Sequence, residues 1–390
     1  MIASVEIENF TAFGSLQLSL SPRVNVVIGS NGTGKTHLLK AIYGLALAGL
    51  PPSADRSDNE VAAYMSRKLL RLFSPEESRI GTLRANGAKA PTRLSLVSSD
   101  DTRVAISFGS RSQAVQIKVD AGGTGHELQP VFIPTKEVLS LVRGKRHPDH
   151  DRATVEMIFD DGYIDLAELL VHPGFEDEAS GLAEDPRLSS VVRELVGLVG
   201  GRYRWTDGGA FRFEPGRYEE KADPARSKSK TAQAYQDSTV TRFVPKDGQL
   251  LSSSMTAEGY RKIGVLHRLL CNGSINPGTT GVLLWDEPEA NLNPKLMKKL
   301  VQVLLELSRN GQQIVLATHD YVLLKWLDLL IEKGKEDHVR FHALYRDPNT
   351  QKLAVESADS YSLISKSAIS DTFAELFDED VARALGGTRS

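Results

Sequence analysis

The residues best equipped for chemistry stand near the start of the chain. Gly29-Ser30-Asn31-Gly32-Thr33-Gly34-Lys35-Thr36 fits G-x-x-x-x-G-K-[ST], a spacing that cradles phosphate. The glycines let successive backbone N–H groups turn toward one anion with no Cβ in the way. Lys35 is placed to reach the outer phosphates and Thr36 to hold Mg²⁺; His37, the next residue, is counted with the phosphate-binding set. A second group lies far along the chain. Gly281-Val282-Leu283-Leu284-Trp285-Asp286-Glu287-Pro288-Glu289 is an apolar run that ends in acids. A carboxylate at the end of a buried strand beside a phosphate loop suits Mg²⁺, directly or through water, and Asp286 fits that role. Glu287, one residue on, can polarise an attacking water. A third run, Ile314-Val315-Leu316-Ala317-Thr318, ends at His319, which reads as a γ-phosphate sensor.

These groups need elements to position them. Val24 to Ile28 reads as a buried strand entering the glycine loop, and His37 to Leu47 as a helix leaving it, with Leu38, Ala41, Ile42 and Leu45 on one face. Residues 1–28 alternate as a hairpin, with Val5, Ile7 and Phe10 in one set and Leu16, Leu18 and Leu20 in another. Phe10 and Phe13 read as core aromatics, with packing on an adenine as the alternative. A loop over 51–60 leads to a helix over 60–73. Three antiparallel strands follow between Thr92 and Val119, turning at Ser98-Ser99-Asp100-Asp101 and Gly109-Ser110. Val131-Phe132-Ile133 reads as a core strand ending at Pro134-Thr135-Lys136-Glu137, and a helical segment follows through Val142. The stretch 143–152 carries His147, Asp149, His150 and Asp151, but no zinc spacing fits and Pro148 breaks any shared face, so an exposed loop is expected. Residues 155–200 read as mainly helical, and Tyr203 to Phe213 as a hairpin around Asp207-Gly208-Gly209. The polar stretch 215–235, with Lys221, Arg226, Lys228 and Lys230, reads as a surface loop rather than a nucleic-acid contact, because aromatics are sparse there. A helix is expected near 295–308 and another around Phe373, Leu376 and Phe377, whose apolar side chains dock on the chain itself or on a partner.

Composition narrows the class. The 390 residues suffice for one large or two ordinary domains, and 41% hydrophobic with 25% charged residues is ordinary globular chemistry. A net charge of −3 gives no overall basic field for nucleic acid. The single cysteine, Cys271, excludes an intrachain disulfide and suits a reducing cytoplasm, where the protein is expected. The first residues lack the pattern of a signal peptide, and no apolar run is long enough to span a membrane, so no membrane partner is expected.

In order, the glycine loop, the apolar strand with Asp286-Glu287-Pro288, the turn Ala290-Asn291-Leu292-Asn293-Pro294 and the apolar strand with Thr318-His319 resemble the heads of ABC-type ATPases. The branch resembled lacks a transporter domain: SMC-like and RecF-like repair ATPases, OLD-family ATPases, and small AAA proteins of bacterial defence and abortive-infection operons. "LLWDEPEANLNPKL" is most similar to the last group, and "FIPTKEVLSL" to the ATPases of Septu- and PARIS-like antiphage systems. The resemblance implies an α/β fold: an ABC-ATPase head, a P-loop core with an antiparallel β subdomain, carrying an inserted, mainly helical lobe. The boundaries expected are 1–140 for the first half of the head, 141–249 for the lobe, and 250–390 for the second half with its tail.

The resemblance also implies roles. Gly29, Ser30, Asn31, Gly32, Thr33, Gly34, Lys35, Thr36 and His37 bind the phosphates of ATP, with Thr36 and Asp286 on Mg²⁺; Glu287 is the catalytic base, His319 the switch histidine and Lys35 the catalytic cation. Asn293 stands in the loop that crosses between subunits. Ser254, Thr256, Glu258 and Gly259 stand where the signature motif belongs, at a serine-rich helix start that also reads as a plain capped helix. No glutamine ends the strand Val131 to Ile133, so Thr135, Lys136 or Glu137 would replace the usual Q-loop residue. The implied assembly is a homodimer or higher homo-oligomer with ATP sandwiched between subunits. The implied function is an ATP-hydrolysing switch of an antiphage system, controlling a separate effector such as a nuclease or toxin from the same operon. The alternative is a RecF-like repair ATPase, which makes nucleic acid a candidate partner; a third reading is a regulatory ATPase without one. The interval from Lys35 to Asp286 holds only short elements, which excludes a coiled-coil arm, and the stretch after His319 lacks an acidic metal cluster, so nuclease activity is expected from a partner chain.

Overall fold

The computed structural model describes residues 1–50, 57–120, 122, 128–142, 158–172, 185–222, 239–246 and 248–385. The expected loop at 143–152, most of the loop at 51–60 and most of that at 215–235 lie outside these residues. The chain forms two compact units that cut across the boundaries at 140 and 249: Met1–Phe132 with Gly281–Glu289 and Gln313–Ser390, and Ile133–Thr280 with Ala290–Gln312.

Strands β1 (Ile2–Phe10) and β2 (Phe13–Ser19) form the expected hairpin, with Val5, Ile7 and Phe10 opposite Leu18, Leu16 and Phe13. This register puts both alternating sets on one buried face. β3 (Val24–Ile28) is buried at every residue and leads through the glycine loop into α1 (Lys35–Ala48). α2 (Asp58–Phe73) starts at a capping box in which Ser57 and Glu60 satisfy each other's backbone N–H groups. β4 (Thr92–Ser98), β5 (Arg103–Phe108) and β6 (Gln116–Asp120) complete an antiparallel sheet of order β2-β1-β4-β5-β6.

After β7 (Val131–Ile133) the expected helix does not form: residues 134–142 are bends and a single turn in which Leu141 and Val142 both donate to the Val138 carbonyl. The Glu137 carboxylate takes the Ser140 N–H, a local side-chain bond that competes with a helix ladder. The second unit continues with α3 (Asp161–Val171), α4 (Pro186–Val199), β8 (Gly201–Thr206), β9 (Ala210–Ala222), β10 (Thr239–Pro245), β11 (Leu251–Ser252) and α5 (Glu258–Cys271). The lobe expected as mainly helical is therefore mixed. The β8–β9 hairpin was legible from Asp207-Gly208-Gly209, but β9 runs on to pair with β10 and β11 as well.

β12 (Leu283–Asp286) belongs to the first unit, α6 (Pro294–Arg309) to the second, and β13 (Ile314–Thr318), α7 (Tyr321–Leu330), β14 (Val339–Arg346), β15 (Leu353–Ala358) and α8 (Ala368–Ala384) to the first again. A six-stranded sheet of order β15-β14-β3-β13-β12-β7 results, with β14, β3, β13 and β12 parallel and β15 antiparallel at its edge. α1 packs between this sheet and the antiparallel one. It is buried well beyond the single face expected, with Leu38, Leu39, Ala41, Ile42 and Leu45 fully covered. Each such leucine or isoleucine contributes about 1.5–3 kcal/mol by leaving water. The tail helix docks only in part: Phe373 stacks on Tyr321 at 4.1 Å, while Leu376 and Phe377 are 61% and 67% exposed. No described helix is long and apolar enough to cross a membrane.

Candidate nucleotide-binding site

Three neighbouring parallel strands end side by side. Ile28 pairs with Thr318 and Ala317 with Asp286, so Gly29, His319 and Glu287 leave β3, β13 and β12 at one edge of the sheet. Ligands of open parallel sheets bind outside such carboxyl ends.

The glycine loop is shaped by close approach. A Cβ on Gly29 would lie 2.6 Å from the Leu344 carbonyl oxygen and 2.7 Å from Thr33 Oγ1. Gly34 adopts φ +85°, and a Cβ there would meet the Phe13 ring at 2.9 Å. Phe13 and Phe10 are themselves fully buried, so both are core aromatics, as expected, and Phe13 buttresses the loop. Thr33 ties the loop across by donating to the Ser30 carbonyl at 2.8 Å. At the start of α1 the N–H groups of Lys35, Thr36 and His37 have no helical carbonyl four residues back, and Leu38 is the first to donate in that way, to Gly34. The His37 ring packs edge-on against Phe73 at 5.5 Å.

The charged side chains already face one another. Lys35 Nζ, 7% exposed, donates to the Gly29 carbonyl at 2.8 Å and more weakly to that of Ser30 at 3.4 Å. Burial holds its pKa below the usual lysine value, against the opposing pull of Glu287, Asp286 and Glu289. Thr36 Oγ1 donates to Asp286 Oδ2 at 2.8 Å. The Glu287 N–H continues the ladder to Ala317 at 2.8 Å, but its φ of +49° is strained for a residue with a Cβ. That turn brings Glu287 Oε1 to 3.0 Å from His319 Nδ1. Glu289 also belongs here, though its sequence position gave it no role. It is 5% exposed and accepts from Thr318 Oγ1 at 2.6 Å. Burial pushes its carboxyl pKa up, with the Thr318 hydrogen bond opposing. The signal in the sequence was an acid just past Glu287-Pro288 with a threonine ending the neighbouring strand.

The second unit uses the same residue types differently. The Thr256 hydroxyl donates to the Ser253 carbonyl at 2.6 Å and bonds the Tyr203 hydroxyl at 2.7 Å, so it is not directed at a phosphate. Ser254 bonds Ser252 at 2.9 Å. Ala257 caps α5 without a side-chain hydrogen bond, and Glu258 in the first turn places a negative charge where a phosphate would approach. Gly259 is required by packing: a Cβ would meet the Asn291 carbonyl at 2.5 Å. Asn293 is the N-cap of α6, accepting from Lys295 N–H at 3.0 Å. Of the three Q-loop candidates, Glu137 is committed elsewhere, pairing with Arg261 at 2.8 Å, while Arg261 also donates to the Thr256 carbonyl. Sequence reading missed Arg261 and Tyr203: the first is remote in sequence from Glu137 and the second from Thr256, and neither carries a motif.

A family profile described as "AAA domain, putative AbiEii toxin, Type IV TA system" matches residues 172–325, and one described as "AAA ATPase domain" matches residues 1–61. The SMC head solved bound to the C-winged helix domain of ScpA superposes with a TM-score of 0.50 over 93% of this chain and 98% of that chain, at 15% identity. The fold is that of an ABC-type ATPase head. Curated relatives include the DNA replication and repair protein RecF of Listeria monocytogenes serotype 4b (strain CLIP80459), 30% identical over 144 residues, 37% of this chain and 34% of the relative. RecF of Bacillus cereus (strain G9842) is 33% identical over 95 residues, 24% of this chain and 22% of the relative. The chain thus matches about a third or less of these relatives' lengths. Within this ABC-type head the donors suit a nucleotide: a cradle that side chains would fill, a lysine resting on the loop's own carbonyls, and a threonine–aspartate pair suited to a hard cation.

Proposed function

We propose that this ABC-type ATPase binds ATP at the Gly29–Thr36 loop and hydrolyses it slowly, using the bound state as a switch. The observation that carries the reading is the pair of contacts at adjacent strand ends, Thr36 with Asp286 and Glu287 with His319. Loop N–H groups and Lys35 bind and orient the phosphates. Glu287 takes a hydrogen bond from the attacking water and turns it toward the γ-phosphate, and His319 fixes the Glu287 carboxylate. Thr36 and Asp286 would hold Mg²⁺, which when bound neutralises charge on the β- and γ-phosphates. ATP joins two copies of the chain and hydrolysis parts them.

For the biological setting we infer a defence switch that controls a separate effector protein, a nuclease or toxin; the toxin-system description of the profile over residues 172–325 supports it. A second reading, DNA repair of the RecF kind, has the partial RecF matches in its favour. The test is to purify the chain together with its operon neighbours, with ATP bound, and to measure composition and ATPase rate with and without DNA. A stoichiometric effector subunit supports defence. A lone dimer with DNA-stimulated hydrolysis replaces that reading with repair. A chain whose ATPase rate matches that of Lys35→Ala refutes hydrolysis itself.

A further inference from the structure

Two glutamates, two residues apart, hold the same histidine from opposite ends. Glu287 meets the His319 ring at 3.0 Å. Glu289 turns back to β13 and takes the Thr318 hydroxyl at 2.6 Å, with the His319 backbone N–H further off at 3.4 Å. The Thr318 oxygen in turn accepts from the Asp320 N–H at 3.0 Å, and the Asp320 carboxylate caps α7 by accepting from Leu323 N–H at 2.7 Å. The backbone of residues 318–320 is thus tied to the end of β12 through one carboxylate. A buried acid is an expensive way to secure a strand end, since an apolar residue of similar size avoids the desolvation cost. Glu289 Oε2 has no hydrogen-bond partner among the described residues, so the cost is only half offset.

We propose that Glu289 is a positioning residue for hydrolysis, holding the Thr318–His319 backbone at the height at which the His319 ring meets Glu287. The proposal rests on the roles given above to Glu287 and His319. It is tested on the full chain with Glu289→Ala, Glu289→Gln, Thr318→Val and the Glu289→Ala/Thr318→Val double variant, each checked for folding by thermal melting. Removing the acceptor should lower kcat about tenfold while ATP affinity stays within about twofold, because the phosphate cradle is untouched. Glu289→Gln keeps an acceptor oxygen and should retain most of the turnover. The double variant should be no slower than the worse single one, since both remove the same link. A readout free of turnover is the His319 ring resonance in the nucleotide-free protein, identified by its loss in His319→Asn. It should move in Glu289→Ala and stay in Glu289→Gln. A folded Glu289→Ala variant with unchanged kcat and an unmoved His319 signal overturns the proposal. So does a Glu289→Gln variant as slow as Glu289→Ala. A wild-type chain that does not hydrolyse ATP sinks the functional reading instead, and the resonance still tests the link.

Discussion

The edge of the parallel sheet and the start of α5 carry similar residues, hydroxyls, acids and glycines, yet they are built to opposite effect. At the sheet edge, side chains from the start of α1 and from the ends of β12 and β13 meet one another or the loop backbone: Lys35 over Gly29, Thr36 with Asp286, Glu287 with His319. At the start of α5 polar side chains turn inward, Thr256 to Tyr203 and Glu137 to Arg261, while Glu258 sets a negative charge in the first turn. A phosphate-binding cradle needs donors fixed before the ligand arrives. In the first region the bonds within the loop and the parallel register together fix the groups. In the second, side chains that look like ligand donors are spent on keeping a short loop in shape.

The contrast can be broken by experiment. The largest effect is expected from Glu287→Gln: turnover falls about 100- to 1,000-fold while ATP affinity is kept. The variant should persist as an ATP-bound assembly in light scattering, and normal turnover would remove Glu287 from its role. Lys35→Ala should weaken ATP binding about 100-fold in calorimetric titration, since the cradle loses its only lysine.

Acid stability comes next, and His342 of the first unit and His267 of the second show the largest shifts among the described histidines. Burial, helped by Arg340, brings the His342 pKa down to about 4; burial, helped by Arg202 and Arg268, brings that of His267 down to about 3. Both are neutral in the folded protein and take a proton near 6.5 when unfolded. Stability is therefore full above that value and is lost as pH falls toward the folded pKa, by about 2 kcal/mol per histidine at pH 5. Melting curves of His342→Gln and His267→Gln between pH 7 and 5 should each flatten this slope; unchanged slopes would mean that the rings are solvated. The smallest effect sharpens the comparison most. Thr256→Val should cost about 1–2 kcal/mol of stability by stranding the Tyr203 hydroxyl, with ATP affinity unchanged. A loss of ATP affinity in a folded Thr256→Val protein would return that hydroxyl to the nucleotide.

The outcome for each element follows from how far apart its determinants lie. The hairpin β1–β2, the strands from Thr92 to Asp120 and helix α2 were legible because alternation, turn residues and caps act over a few positions. The helix expected up to Val142 does not form, and there a bond from the Ser140 N–H to the Glu137 side chain competes with the ladder. The lobe between 141 and 249 looked more helical than it is, because the long strand β9 is polar and its pairing with β10 and β11 has no local signature.

For the site, the sequence alone placed the candidate groups. A glycine loop ending in Lys35-Thr36, and apolar runs ending in Asp286-Glu287 and Thr318-His319, already mark which polar groups stand at strand ends, since a buried strand must release its polar groups at its end. Only the tertiary structure decided which of these groups meet. β13 lies between β3 and β12, and that crossover order brings His319 to Glu287 and Glu289 to Thr318. Tertiary packing likewise turned Thr256 and Glu137 away from a ligand, because a hydroxyl or carboxylate that is buried must find its partner nearby, and those partners, Tyr203 and Arg261, lie far along the chain.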